Sequence, residues 1–161
     1  MSSVSKKMLM DAIRPYFRDD HNMCLLVGDM GFAVTDDFFE QFPDRTFNIG
    51  IAEQGTMGMV AGMALAGLKP LYYSQIPFLV MRAFEQIRYD ICEHNLRVIL
   101  IGVGADNFFH RLGRSHCVDD DDLKILSIFP NLLLLSPTEQ TVHDDVRRML
   151  GYDGPVYVRC A

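Results

Sequence analysis

The feature that most limits what this chain can fold into is a repeated alternation: short apolar runs take turns with longer stretches of helical period. Met23-Cys24-Leu25-Leu26-Val27 is the clearest run, and it stops at Gly28-Asp29. Five apolar residues without interruption fit a strand buried on both faces, because a strand with one wet face would show a polar residue at every second position. Thr46 to Ile49, Pro70 to Ser74, Arg97 to Val103, Leu132 to Leu135 and Pro155 to Arg159 read as further strands. Val4 to Phe17 has Met8, Leu9, Ala12, Ile13 and Tyr16 on one helical face. Thr35 to Phe42 is a predicted helix with Thr35 as its cap and two acids in its first turn. Gln54 to Ala66, Phe78 to Glu93, Asp121 to Ile128 and Thr138 to Leu150 complete the predicted helices. Such alternation predicts an α/β fold of three layers, a mostly parallel sheet with helices on both faces. Ligands of such sheets bind beyond the carboxyl ends of the strands. Those ends are expected at Gly28-Asp29, Gly50-Ile51, Ser74-Gln75, Gly104-Ala105, Ser136 and Arg159.

A chain of 161 residues is long enough for one domain with a real core and short for two, so residues 1–161 read as a single domain. The net charge of −6 argues against nucleic acid as a main partner, since phosphate binding needs a basic face. Cys24, Cys92, Cys117 and Cys160 are scattered without a CxxC pair, which suits reduced thiols in a cytoplasmic protein. The polar stretch Met1 to Lys7 lacks the apolar core of a signal peptide. No apolar run approaches the length of a membrane span, so no membrane partner is expected.

Phe47 to Gly67 reads as a buried strand, a tight turn and a helix of small and apolar residues. Glu53 opens that helix, and nothing else ionisable lies between Arg45 and Lys69. A lone acid in so apolar a setting either caps the helix or does chemistry. The local sequence leaves both open. Further along, Gly58, Gly62 and Ala66 recur at four-residue spacing. Glycine inside a helix costs about 1 kcal/mol against alanine. Two glycines on one face therefore predict close approach of another helix, within the chain or across a subunit interface.

Other motifs weigh less. Ile101-Gly102-Val103-Gly104 lacks the third glycine and the following helix of a dinucleotide fingerprint, and reads as a strand-to-loop turn. His116 and Cys117 adjoin the acids Asp119 to Asp122. Consecutive acids fit a helix N-terminal charge cluster in preference to a metal site, so no metal ligand is expected on this chain. His110, Arg111, Arg114 and His116 crowd one glycine-bearing loop at a strand end, a place where functional residues concentrate. The Met-rich faces read as packing surfaces.

At this point the residues carry a resemblance. Gly50-Ile51-Ala52-Glu53-Gln54 resembles the GIAEQ motif of the transketolase family of thiamine diphosphate enzymes. Gly28-Asp29-Met30-Gly31 resembles the end of that family's first strand, and Arg82 to Arg88 its RAYEQIR helix. Gly113 to His116 resembles the GxTH loop, Phe129-Pro130-Asn131 the IPN segment, and Gly154 to Arg159 the GPVYIR segment. Order and spacing agree across residues 23 to 159. The likeness is to the domain that binds the cofactor's aminopyrimidine ring. The domain that holds the diphosphate and magnesium, and the domain that follows GPVYIR, have no counterpart here.

The resemblance implies a small subunit of a split, two-component enzyme. A large partner subunit would hold the diphosphate and Mg2+, in a heterotetramer. It implies that Glu53 hydrogen-bonds the pyrimidine nitrogen N1′ and shares a proton with it, which a dry, uncharged pocket favours. Phe78 matches the aromatic under the ring, with Gln75 and Met30 near the cofactor. His116 matches a loop histidine that faces the reacting carbonyl. Arg159 matches an arginine near the substrate phosphate, and Arg111 joins His116 on the substrate side. The sequence departs from the family at Gln75-Ile76, where Thr-Phe is usual, at Leu112, where transketolases carry an aspartate, and at Ala33, near a family serine. The implied activity is ketol or acyl transfer from a ketose phosphate or 2-oxo acid to an aldehyde. The alternatives are a 2-oxo acid decarboxylase or carboligase subunit using the same cofactor, and a non-catalytic interaction domain that kept the fold.

Overall fold

Residues 3–161 are described in a computed structural model of the chain. The strands are β1 (Met23–Val27), β2 (Thr46–Asn48), β3 (Lys69–Gln75), β4 (Ile99–Val103), β5 (Leu133–Leu135) and β6 (Val156–Cys160). They form one sheet in the order β2-β1-β3-β4-β6-β5, and every neighbouring pair is parallel. The expected fold class is therefore observed, with a sheet that is parallel throughout. Its helices are α1 (Lys6–Asp19), α2 (Asp36–Gln41), α3 (Glu53–Leu65), α4 (Phe84–Gln86), α5 (Asp121–Leu126) and α6 (Val142–Gly151).

The apolar runs fill two cores at once. Leu25, Val27, Leu71, Tyr73, Ile101, Val103 and Val158 point to one face, against Leu9, Ile13 and Phe17 of α1 and Val146 and Met149 of α6. Leu26, Tyr72, Leu100 and Tyr157 point to the other, against Met57 and Val60 of α3 and Leu79 and Ile87 of the helix that follows β3. Successive strand residues alternate between the two clusters, as the period of two demands. This explains why β1, β4 and β6 are buried at every position. Gly102 makes room for the second core: a Cβ there would stand 2.7 Å from the Tyr157 hydroxyl and 2.9 Å from Ile76 Cγ1.

Three local expectations come out differently. The helix expected at Phe78 to Glu93 is present but unevenly wound. A π-helical segment Pro77–Arg82 meets Ala83 at φ −113°, ψ 24°, the α-turn α4 follows, and a second π segment covers Ile87–Cys92. Thr35 stands at the start of α2, yet its hydroxyl donates backwards to the Gly31 carbonyl at 3.2 Å and not to the helix. Its φ of −104° and ψ of −5° are already helical, and a side-chain cap needs an extended residue there. Finally, Gly58 and Gly62 meet nothing in the described residues, since a Cβ at either would have no neighbour within 4 Å. Exposed Met59 and Leu65 lie on the same helix, and exposed Ile51 lies just before it. No described helix is long and apolar enough to cross a membrane.

Candidate active site

α3 starts just beyond β2, the 77–92 helix starts just beyond β3, and the two helices touch at the carboxyl edge of the sheet. Glu53, the first residue of α3, is only 2% exposed. Its Oε2 accepts a hydrogen bond from Arg82 Nη1 at 2.7 Å. The expectation of a dry setting is met; that of an uncharged one is not. The sequence around Glu53 is free of charge, but a cation arrives from an element 29 residues away.

Arg82 extends the site further. Its guanidinium carbon lies 4.3 Å from the centre of the Phe78 ring, a cation–π distance. The Phe78 ring in turn meets the His116 ring edge-on, with centroids 5.2 Å apart. Gln75, at the end of β3, donates from Nε2 to the His116 carbonyl at 3.5 Å. Ser115 Oγ lies 3.0 Å from His116 Nδ1. Glu53, Phe78, Gln75 and His116, four of the residues singled out from the sequence, thus form one connected group with Arg82 as its link. Arg82 itself was not among the expected site residues. Its place four residues after Phe78 signals a shared helix face with that ring, but nothing in the spacing signals the bond to Glu53.

The other expected residues lie apart from this group. Met30 packs against the core on the opposite face of the sheet. Arg111 is exposed in the turn His110–Leu112. Arg159 is buried on β6 and pairs with Asp120, while its Nε stands 3.3 Å from Asp122 Oδ2. Asp122 also accepts from the Tyr157 hydroxyl at 2.5 Å. The acids read as a charge cluster thus have separate duties, and Asp122 is wholly buried. Among the described residues, no group of three or more His, Cys, Asp or Glu side chains could hold a metal.

The loop that carries His116 is a chain of short turns, Ala105–Asn107, His110–Leu112 and Arg114–His116. It is braced from inside. Asn107 donates to Asp119 at 2.7 Å, Val118 N–H donates back to Asn107 at 3.0 Å, and Arg114 pairs with Asp119 at 2.9 Å. Asn107 and Arg114 together hold the Asp119 carboxyl below the usual carboxylate range.

A planar nitrogen heterocycle needs a carboxyl to bond and a ring face to lie on. Glu53 and Phe78 offer both, and the flat guanidinium of Arg82, bearing N–H donors, already engages both. The residues therefore fit an aminopyrimidine.

Comparison with known proteins places the chain in a family. Residues 4–161 match the family described as "Transketolase, pyrimidine binding domain". One subunit of the apulose-4-phosphate transketolase of Actinobacillus succinogenes is 35% identical over 123 residues, which is 76% of this chain and 39% of that protein. The 1-deoxy-D-xylulose-5-phosphate synthase of Shouchella clausii is 34% identical over 153 residues, 88% of this chain and 23% of that protein. A solved structure described as "Split gene transketolase, inactive beta4 tetramer" superposes with a TM-score of 0.81 at 28% identity, covering 98% of this chain and 50% of the other. The chain thus spans less than half the length of these two sequence relatives. With a family match that covers all but its first three residues, the chain belongs to the family of transketolase pyrimidine-binding domains.

Proposed function

We propose that this chain is the pyrimidine-binding subunit of a two-component, thiamine diphosphate-dependent transketolase-like transferase. The observation that carries the reading is the buried carboxylate of Glu53, hydrogen-bonded to a planar cation that lies on Phe78. When bound, the cofactor supplies the electron sink for breaking and forming carbon–carbon bonds beside a carbonyl. Glu53 exchanges a proton with the pyrimidine nitrogen, and its burial keeps water from competing for that proton. Phe78 gives the ring a face to stack on. Gln75 fixes the backbone of His116 and Ser115 sets its ring, so that the imidazole can move a proton at the substrate carbonyl. Arg159 and Arg111 supply positive charge on the substrate side. Both relatives named above carry a sugar phosphate in their names, which supports a ketose phosphate substrate. For Arg159 this requires Asp120 to let go, because the guanidinium is already paired.

In this reading residues 1–161 are one domain, and a large subunit holds the diphosphate and Mg2+ in a heterotetramer. One relative is named as a single subunit of its enzyme and another as a split-gene protein, and both support that division, as does the description of a β4 tetramer as inactive. The exposed Gly58–Gly62 face of α3 supports a partner chain beside the site. Four free thiols suit a cytoplasmic setting.

The test is turnover of the complex reconstituted with its large subunit. Glu53→Gln keeps size and shape but cannot carry the proton, and turnover is expected to fall by about 10²–10⁴-fold. An unaltered rate would rule out the role of Glu53.

A further inference from the structure

Arg82 touches both groups that the reading above assigns to the aminopyrimidine. Its Nη1 is 2.7 Å from Glu53 Oε2, and its guanidinium carbon is 4.3 Å from the centre of the Phe78 ring. A guanidinium is flat, delocalised and edged with N–H donors. These are the same properties by which a carboxyl and an aromatic face would hold an aminopyrimidine. Glu53 can accept more than one hydrogen bond, but the ring face of Phe78 that carries the guanidinium has no room for a second planar group.

We propose that Arg82 is a latch that stands in for the cofactor ring: closed on Glu53 and Phe78 it excludes the aminopyrimidine, and the ring enters as Arg82 swings out. This rests on the reading of Glu53 and Phe78 as the aminopyrimidine site. Two features let the latch move. The Arg82 side chain is 43% exposed, so its open position is in water and needs no cavity. It is also the last residue of the π segment Pro77–Arg82, directly before Ala83, whose dihedrals leave helical values. Uneven winding of this kind often marks a helix that adjusts at a functional site. The closed latch has its own logic. An unpaired carboxylate at 2% exposure is costly, and Arg82 keeps Glu53 paired until a ring replaces it.

The test titrates thiamine, which lacks the diphosphate that the partner would hold, into the 161-residue chain up to millimolar concentration. Binding is followed by NMR in the wild type, Arg82→Ala and Arg82→Lys, each with and without Glu53→Gln. Arg82→Ala is expected to bind about tenfold more tightly than wild type, the worth of one charge-assisted hydrogen bond. Arg82→Lys, which keeps the charge but not the flat face, should fall between. In the wild type, thiamine should move the Arg82 Nε–H resonance to its solvent-exposed position, a readout independent of turnover.

Equal or weaker binding by Arg82→Ala, including no binding by any variant, overturns the latch. If Glu53→Gln still weakens wild-type binding in that case, the aminopyrimidine site stands without the latch. A gain that survives Glu53→Gln overturns the reading of Glu53 and the latch with it. Should Arg82→Ala lose its cooperative melting, Arg82→Lys decides alone: tighter than wild type supports the latch, equal or weaker overturns it.

Discussion

Three of the four thiols are sealed into the two cores. Burial pushes Cys24 and Cys92 up to about 11 and Cys160 up to about 12, against 9.0 for a free thiol. The sign of the consequence is fixed. Above the unfolded value the unfolded chain has lost these protons while the folded chain keeps them, so folding loses support as pH rises. The thiols' contribution to stability should be level below about pH 9 and should then fall by about 1.4 kcal/mol per pH unit for each such thiol, up to its folded value. Thermal melting across that range checks the slope. Replacing Cys160 by Ala should make it shallower. In the native chain a thiol reagent should label the half-buried Cys117 and spare the other three until the chain unfolds.

At the scale of elements, β1 and β4 were legible because burial on both faces writes itself as an unbroken apolar run, whereas β2, expected as a buried strand, is exposed at Phe47 and Asn48. β1 was expected at Met23 to Val27 and is found there. The winding of the 77–92 helix was not legible. Its hydrogen-bond register is set by what packs on it, and periodicity averages over one extra residue per turn. Glu53 and Phe78 could be found from their motifs. Their link Arg82 needed the topology, since nothing local tells that the start of α3 lies beside the helix after β3. Arg159 was legible as a residue of β6, but its partners Asp120 and Asp122 read as a charged helix start. Gly102 is the most demanding position of β4. Gly102→Ala puts a methyl on the Tyr157 ring, which is tied to Asp122 and cannot retreat. Overpacking of this kind costs about 1–3 kcal/mol, measurable as a lower urea midpoint at unchanged slope.

For the whole molecule, the outward face of α3 is the surface to watch. A methyl at Gly58 or Gly62 meets open space, so Gly58→Ala with Gly62→Ala should raise the stability of the chain by about 1 kcal/mol per site. Gly58→Leu should fold equally well and, on the proposed two-subunit reading, fail to assemble with the large subunit, as sedimentation velocity would show. Full assembly of the Leu variant would remove α3 from the proposed interface.

The strand order holds one more consequence. β6 comes last of the six strands in sequence, but it lies between β4 and β5 and is the only neighbour β5 has among the described residues. While the ribosome is still reading the codons before Val156, β4 shows a bare apolar edge and β5 has nowhere to dock. For that interval the nascent chain presents the kind of unpaired strand that invites aggregation, and its sheet can close only once that late stitch has emerged.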